Sequence, residues 1–187
     1  MSDFSDNELV IKYRAGDEES LAILIRRYLR PIYFFCLHFV KNEEANDLAQ
    51  EVFIKVWRKL RSFDADKNFK VWIFRIARNT CLDYLRKKKS LLFSELQKED
   101  DQPLPEEAIE DLSPTAFEKL SADDLRRELG GFLGQLPAQS QLIFEMHYDD
   151  QMTFQEISDS LGLSLNTVKS RHLRGLKRLR QLMDAPK

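Results

Sequence analysis

An acidic, proline-containing stretch in the middle of the chain limits what this sequence can fold into. Residues 91–121 hold nine acidic side chains against two lysines, together with Pro103, Pro105 and Pro114. So many charges and helix-breaking prolines leave too little apolar surface to form a core. The stretch therefore predicts a flexible acidic linker between two folded domains, at residues 1–90 and 122–187.

Helical periodicity of the apolar residues runs through both proposed domains. The dipeptides Asn-Gly and Asp-Gly, which are typical of tight β-hairpins, do not occur in the 187 residues. We therefore predict an all-α protein of two small helical domains, with a four-helix second domain and with a kink or break at Pro31. The predicted helices span Asp6–Ala15, Glu18–Val40, Glu43–Arg61, Phe69–Lys89, Ala122–Gln135, Ala138–Tyr148, Phe154–Leu161 and Leu165–Met183.

The sequence gives no support for catalysis, a bound cofactor or a metal site. It lacks a nucleophile–base pair, a glycine-rich phosphate loop and a Glu-x-x-His motif. Cys36 and Cys81 stand far apart in apolar helical settings, which favours buried thiols over a disulfide framework or a zinc site. Without an apolar run of about 18 residues or a basic-then-apolar leader, we expect a cytoplasmic protein that does not insert into a membrane.

Residues 153–164 carry the start and stop signals of two successive helices. Thr153 and Glu156 form a capping box, and Gly162 suits the left-handed residue that ends a helix. Ser164 then caps a basic helix, so the pattern predicts a helix-turn-helix motif on duplex DNA, with a plain amphipathic hairpin as the alternative. The side chains expected to reach base edges or phosphates are Ser164, Asn166, Thr167, Lys169, Ser170, Arg171, Arg174, Lys177 and Arg178.

The helix predicted at residues 43–61 has two contrasting faces. The apolar stripe that should pack inward comprises Leu48, Val52, Val56 and Leu60, widened by Phe53 and Trp57. On the other face, Glu44, Asp47 and Glu51 lie about one turn apart, and Glu51 can pair with Lys55. Such a face is either simply solvated or a docking surface for another protein.

Aromatic and basic residues are mixed between residues 62 and 81. The set comprises Phe63, Phe69, Trp72 and Phe74 with Lys67, Lys70, Arg75 and Arg78. Bases stack on rings while cations follow the phosphate backbone, so the mixture suits single-stranded nucleic acid as well as a hydrophobic core. Asn79 is more informative, because an amide in the middle of an apolar helix either is satisfied internally or contacts a base edge.

Four stretches together resemble the bacterial sigma factors of the extracytoplasmic-function (ECF) group. They are DLAQEVFIKVWRKLRSF (Asp47–Phe63), FKVWIFRIARNTCLDYLRKKK (Phe69–Lys89), LPAQSQLIFEMHYDDQMTFQEISDSLGLS (Leu136–Ser164) and NTVKSRHLRGLKRLR (Asn166–Arg180). The resemblance implies a sigma factor without catalytic residues, which binds core RNA polymerase and confers promoter recognition. It also implies a region 2-like domain at residues 1–90, a region 4-like domain at residues 122–187, and a linker that threads toward the polymerase active site.

The same resemblance implies three binding surfaces and one further partner, an anti-sigma factor. Candidate contacts to core polymerase are Glu44, Asp47, Gln50, Glu51 and Lys55. The segment from Phe63 to Lys89 would melt and capture the minus-ten element, with Asn79 at the pocket of a flipped base. Its candidate contacts are Lys67, Asn68, Phe69, Trp72, Arg75, Arg78, Asn79, Arg86 and Lys87. The helix from Leu165 to Arg180 would read the minus-thirty-five duplex.

Two other classes of protein compete with this interpretation. A stand-alone helix-turn-helix regulator, with residues 1–90 sensing a ligand or forming a dimer, explains residues 136–183 equally well but leaves Asn79 and the acidic helix face unexplained. An enzyme or metal-binding bundle would need the motifs that the sequence lacks. Footprinting of a palindromic site without polymerase would favour the regulator.

Overall fold

The computed structural model describes residues 4–40, 42–93 and 132–184, and every regular element in these ranges is helical. The first four helices are α1 (Asp6–Arg14), α2 (Glu18–Leu37), α3 (Asn42–Leu60) and α4 (Phe69–Phe93). They confirm the four helices predicted for this part, and α4 extends past its predicted end. Across the described ranges, no helical stretch combines the length and the hydropathy that crossing a bilayer requires.

The second part contains α5 (Ala138–Phe144), a π-helical turn (Glu145–Asp149), α6 (Phe154–Leu161) and α7 (Leu165–Asp184). The bounds of α6 are those predicted from its caps. The single helix predicted for residues 138–148 divides instead into α5 and the wider π-helical turn. The predicted linker beyond residue 93 and most of the helix predicted at residues 122–135 lie outside the described residues.

The helix-turn-helix forms as its caps predict. The Glu156 N–H donates to Thr153 Oγ1 at 3.2 Å, and the Thr153 N–H donates to the Glu156 carboxylate at 2.7 Å, which completes the capping box. Gly162 ends α6 in the left-handed conformation, with φ 59°. Ser164 Oγ then accepts the Thr167 N–H at 3.0 Å and begins α7.

An aromatic core joins the first four helices. Phe35 on α2 and Phe74 on α4 are 1% exposed, and their rings meet edge to face with centroids 5.3 Å apart. Helix α2 runs through Pro31 without a break. Tyr28 before the proline and Phe35 after it are both buried. The break that Pro31 could have caused is therefore not observed.

The apolar stripe of α3 is confirmed in part. Its four aliphatic members are all at most 3% exposed, namely Leu48, Val52, Val56 and Leu60. Trp57, however, is 55% exposed, so the prediction that it widens the stripe is wrong. At 3.6 residues per turn, Trp57 points about 100° away from its neighbour Val56 and therefore leaves the core.

The second part packs against the first as well as within itself. One cluster of its own surrounds Phe144, with Leu136 and Leu179 buried beside it. Other side chains join the core of the first four helices, namely Leu142, Ile143, Met146, Met152, Ile157, Leu161 and Val168. Two separately folded domains were expected, but in this structure their apolar faces meet.

Gly175 allows α7 to pass close to Phe144. A Cβ at this position would lie 2.6 Å from the Phe144 ring, which is itself buried. We expect Gly175→Ala to lower the free energy of unfolding by about 1–3 kcal/mol, although alanine is otherwise the better helix former. Gly134→Ala is the control, because a Cβ there would meet nothing within 4 Å. Urea unfolding compares the two variants, and equal stability would contradict this packing.

Candidate polymerase and nucleic-acid interfaces

Helix α1 holds the loop that precedes α4. Asn7 Nδ2 donates to the backbone carbonyls of Ala65 at 2.7 Å and Lys67 at 3.0 Å. Arg14 donates to the Leu60 carbonyl at 3.1 Å. Sequence analysis missed Asn7 and Arg14 as positioning residues, because no local pattern connects them with a loop about fifty positions later in the chain. The loop is thus held by residues that are distant in the sequence but adjacent in the fold.

The candidate minus-ten residues are divided between the surface and the core. Those exposed to solvent are Lys67, Asn68, Arg75, Asn79, Arg86 and Lys87, while Trp72 and Arg78 are half-buried. Phe69 is 1% exposed, and its ring lies 5.5 Å from those of Tyr28, Phe63 and Trp72. The structure therefore places Phe69 in the core, where it supports the loop and presents no open face to a base.

The side chain of Asn79 faces solvent on α4. Its Oδ1 accepts from Arg78 Nη1 at 3.4 Å, which is long for a hydrogen bond. The following residue, Thr80, is 2% exposed and donates to the Ile76 carbonyl at 2.9 Å. The Asn79 amide is therefore not hydrogen-bonded inside the core, which was the first of the two possibilities. It remains accessible to a base edge, which was the second.

The candidate polymerase contacts lie on one side of α3. Asp47, Gln50 and Glu51 are exposed. Glu44 accepts from Lys88 Nζ at 2.5 Å, so it also ties α3 to α4. Lys55 pairs with Glu51 at 2.7 Å, as its spacing predicted, and its Nζ also donates to Thr80 Oγ1 on α4 at 3.0 Å. The exposed part of the candidate set is thus its middle, while both ends help to hold the helices together.

Two exposed apolar side chains extend this acidic side of α3. Ile54 is 48% exposed and Trp57 is 55% exposed. Ile54 lies four residues after Gln50 and three after Glu51, which places it one turn along the same side of the helix. Trp57 lies seven residues after Gln50 and six after Glu51. Sequence analysis assigned Trp57 to the core and did not consider Ile54. The i, i+4 spacing from Gln50 was the signal that could have identified Ile54.

The first turns of α7 present the predicted recognition residues. Asn166 and Lys169 are exposed, whereas Arg171 is half-buried beside the cation Arg174. Burial, followed by the charge of Arg174, lowers the pKa of Arg171. Lys177 and Arg178 are exposed further along. The exposed amide and ammonium at the start of the helix and the cations beyond it suit base edges and phosphates, respectively.

Polar contacts join the first four helices to the second part of the chain. Asn68 Nδ2 donates to Glu156 Oε1 at 2.6 Å. Arg75 Nη2 donates to the Asp159 carbonyl at 3.1 Å, and Lys70 Nζ donates to a third acceptor, the carbonyl of residue 150, at 2.6 Å. Asn68 and Arg75, both candidate minus-ten residues, are therefore engaged within the chain.

Cys36 and Cys81 behave as the buried thiols that were predicted. Both are 0% exposed, and the Cys81 thiol donates to Cys36 Sγ over 3.7 Å. This contact and burial raise the pKa of Cys36, so its thiol stays protonated at neutral pH. Within the described part of the chain, no group of three or more metal-ligating side chains is placed to hold an ion.

Comparison with known proteins identifies the family. The family Sigma-70 region 2 matches residues 24–91, and Sigma-70, region 4 matches residues 126–179. Over 200 residues the chain is 31% identical to the ECF RNA polymerase sigma factor SigW of Bacillus subtilis, with 95% of this chain and 99% of the relative covered. The chain belongs to the ECF sigma factors. It is also 28% identical over 174 residues to the ECF RNA polymerase sigma-E factor of Escherichia coli K12, covering 91% and 90%.

A solved sigma factor shares the fold of this ECF sigma factor. The sigma factor RpoE, in complex with the anti-sigma factor NepR from Bartonella quintana, superposes with a TM-score of 0.59 at 22% identity. The match covers 89% of this chain and 98% of the other. The family matches and the relatives confirm the resemblance drawn from four stretches of sequence, and the helices of the described ranges confirm the all-α fold predicted from the periodicity.

Asp150 of this sigma factor lies where the two parts of the chain meet. Burial raises the pKa of its carboxyl to about 7; Lys70 opposes this increase, while Asp149 and Glu145 add to it. The ordinary pKa of an unfolded aspartate is about 3.9. Between these two values the folded chain binds the proton more tightly, so the free energy of unfolding falls as the pH rises through this window.

We expect Asp150→Asn to raise the melting temperature at about pH 8, where the wild-type carboxylate is charged and half-buried, and to lose this advantage near about pH 4. The amide keeps the shape of the side chain but removes the charge. Asp66→Asn, at an exposed position, is the control and should show no such trend. The melting temperature of each variant is measured across this pH range. If it depends on pH identically in wild type and Asp150→Asn, the pKa of Asp150 is not raised in the folded chain.

Proposed function

We propose that this ECF sigma factor binds core RNA polymerase and directs it to promoters through three surfaces. The exposed side of α3 contacts polymerase, the exposed side of α4 captures the melted minus-ten strand, and the first turns of α7 read the minus-thirty-five duplex. Residues 1–90 and 122–187 act as the two domains, joined by the acidic linker. The observation that carries this proposal is that α4 and α7, from different parts of the chain, each present exposed amides and cations.

The side of α3 has the composition of a protein-binding surface. Exposed polar groups at Asp47, Gln50 and Glu51 adjoin the apolar side chains of Ile54 and Trp57. Binding surfaces commonly combine a polar rim with an aromatic anchor, and tryptophan is one of the residues enriched at their energetic centres. This combination supports a docking surface over a merely solvated face, which would not need the exposed indole.

The α4 surface supports capture of a single strand. Asn79 is exposed and offers both amide donors and an acceptor to a base edge. Lys67, Arg86 and Lys87 supply exposed cations along the same segment. Flipping a base from the duplex costs a few kcal/mol, which a polar pocket backed by polymerase can offset. The fixed loop before α4 preorganises this surface, because Asn7 holds two of its carbonyls.

An anti-sigma factor belongs among the partners of this chain. RpoE of Bartonella quintana, which shares the fold, was solved with the anti-sigma factor NepR. The two parts of this chain form a groove of about 560 Å³ at their junction, lined by apolar and charged side chains including Phe34, Met146 and Asp149. Such a groove is a suitable place for an inhibitory partner to contact both parts at once.

Run-off transcription from a fragmented host-genome library tests the proposed function. Core polymerase is compared with core polymerase plus this chain, and the transcript starts are sequenced. New starts that share two short boxes at a fixed spacing are expected. The stand-alone regulator predicts the opposite result: no new starts, together with protection of a palindromic duplex by the chain alone.

We expect Asn79→Ala to reduce open-complex formation strongly while leaving polymerase binding intact. The change removes a base-contacting amide from an exposed position, so little packing is lost. Permanganate reactivity of the promoter measures melting, and co-purification with core polymerase measures binding. Asp83→Ala is the matched control, since Asp83 is exposed on the same helix about one turn away. Normal melting by the Asn79 variant would remove the amide from the mechanism.

We expect Trp57→Glu to weaken the affinity for core polymerase by about tenfold or more, because an aromatic anchor at an interface contributes on the order of 2 kcal/mol. Its stability should change little, since the indole is already 55% exposed. Leu29→Glu is the control, as Leu29 is 56% exposed on α2. Fluorescence titration with core polymerase compares them. Equal losses for both variants would show that α3 is not the specific contact.

A further inference from the structure

Five aromatic rings meet where α5, the π-helical turn, α6 and α7 come together. We define this ring cluster as Phe144, His147, Tyr148, Phe154 and His172. The His172 ring of α7 stacks on Phe144 with centroids 4.8 Å apart, and the His147 ring stacks on Phe154 at 4.4 Å. Tyr148 Oη lies 3.2 Å from His172 Nε2. The ring cluster thus connects both helices of the helix-turn-helix with the helix that precedes them.

Hydrogen bonds hold the π-helical turn in place. The Asp150 N–H donates to the Glu145 carbonyl at 3.0 Å, five residues back, as this wider turn requires. His147 Nδ1 lies 2.7 Å from the Met152 carbonyl, immediately before the cap of α6. Tyr148, the next residue along the turn, is therefore fixed relative to α6 and can orient the group to which it bonds.

His172 determines which side of α7 faces solvent. It is 9% exposed, and Gly175, about one turn later, passes against the buried Phe144 ring. At about 100° per residue, Asn166 and Arg174 lie about 120° and about 160° around the helix from His172. Both are exposed, and both are candidate contacts to the minus-thirty-five duplex. A rotation of α7 at His172 therefore moves the side chains that would meet DNA.

The contact between Tyr148 and His172 joins two neutral groups. Burial, followed by the neighbouring His147, lowers the pKa of His172 to about 4, so its ring is uncharged at neutral pH. Burial also raises the pKa of Tyr148, which therefore keeps its hydroxyl proton. The hydroxyl can donate, and a neutral imidazole has one ring nitrogen that accepts. With Tyr148 half-buried and His172 buried, water is poorly placed to replace this hydrogen bond.

We propose that Tyr148 and His172 are positioning residues for the minus-thirty-five duplex, because their hydrogen bond sets the orientation of α7 in the major groove. The inference rests on the proposed function, in which α7 reads that duplex. Contacts to phosphates tolerate a small rotation of the helix, whereas hydrogen bonds to base edges require close alignment. The bond therefore contributes to sequence preference more than to the overall affinity for DNA.

Tyr148→Phe tests the proposal, because it removes the hydroxyl and keeps the ring in the ring cluster. The full chain is assembled with core polymerase and titrated against two fluorescent promoter duplexes identified by the run-off experiment. One duplex has its minus-thirty-five box intact, and the other has that box scrambled. The dissociation constant for the scrambled duplex, divided by that for the intact one, measures the sequence preference. We expect Tyr148→Phe to lower this ratio by about fivefold, the value of one ordinary hydrogen bond.

A double-mutant cycle identifies the bond as the cause. His172→Phe removes the ring nitrogen but retains an aromatic ring against Phe144, and it should lower the ratio as Tyr148→Phe does. In the double variant the ratio should fall no further, since both changes remove the same bond. Tyr13→Phe is the control, because it removes a hydroxyl from a half-buried tyrosine on α1 and should leave the ratio unchanged.

Thermal unfolding of each variant accompanies the titrations. A variant that merely unfolds more readily weakens binding to both duplexes by the same factor, so its ratio stays that of wild type. A wild-type ratio for Tyr148→Phe, or losses that add in the double variant, would overturn the proposal. If the wild-type chain itself binds both duplexes equally, the proposed reading of the minus-thirty-five duplex by α7 is wrong, and the inference fails with it.

Discussion

The packing of α4 governs the rest of the structure, because this helix contacts α1, α2 and α3 on one side and α6 on another. Ile73, Phe74, Ala77 and Cys81 form its buried side, all at most 1% exposed. With these side chains fixed inward, helical geometry forces Arg75 and Asn79 outward. The core of the first part and the proposed strand-capturing surface are thus two consequences of one helical register, and neither can shift without the other.

Local signals carried most of what could be predicted. Thr153, Gly162 and Ser164 determine where α6 and α7 begin and end through contacts within a few residues, so the sequence alone was sufficient. Periodicity likewise placed the aliphatic stripe of α3 inside. It failed for Trp57, because the hydrophobicity of the side chain was given more weight than its angular position. For Phe69 the residues themselves left core and single strand open; the resemblance made it a candidate contact, whereas its ring completes the core.

The remaining features depend on residues that are distant in sequence. Asn7 fixes the loop at residues 65–67, and Asn68 meets Glu156, although 58 and 88 positions separate the bonded pairs. The raised pKa of Asp150 likewise depends on burial at the junction, to which Lys70 brings an opposing charge. Neither the periodicity nor the caps of a single helix can predict such long-range contacts. The predicted separation of two domains therefore missed the contact between them.

That contact connects the two surfaces proposed to bind the promoter. Helix α6 packs against α7, the proposed recognition helix, and against α4, so its position affects both. By linkage, a partner that binds the two parts only when they are in contact stabilises that contact, and a partner that binds them only when they are separated weakens it. A partner that holds the two parts apart would therefore break the hydrogen bonds that Asn68, Lys70 and Arg75 make to the second part. A partner seated in the groove at the junction would instead contact both parts at once, and those bonds would be kept.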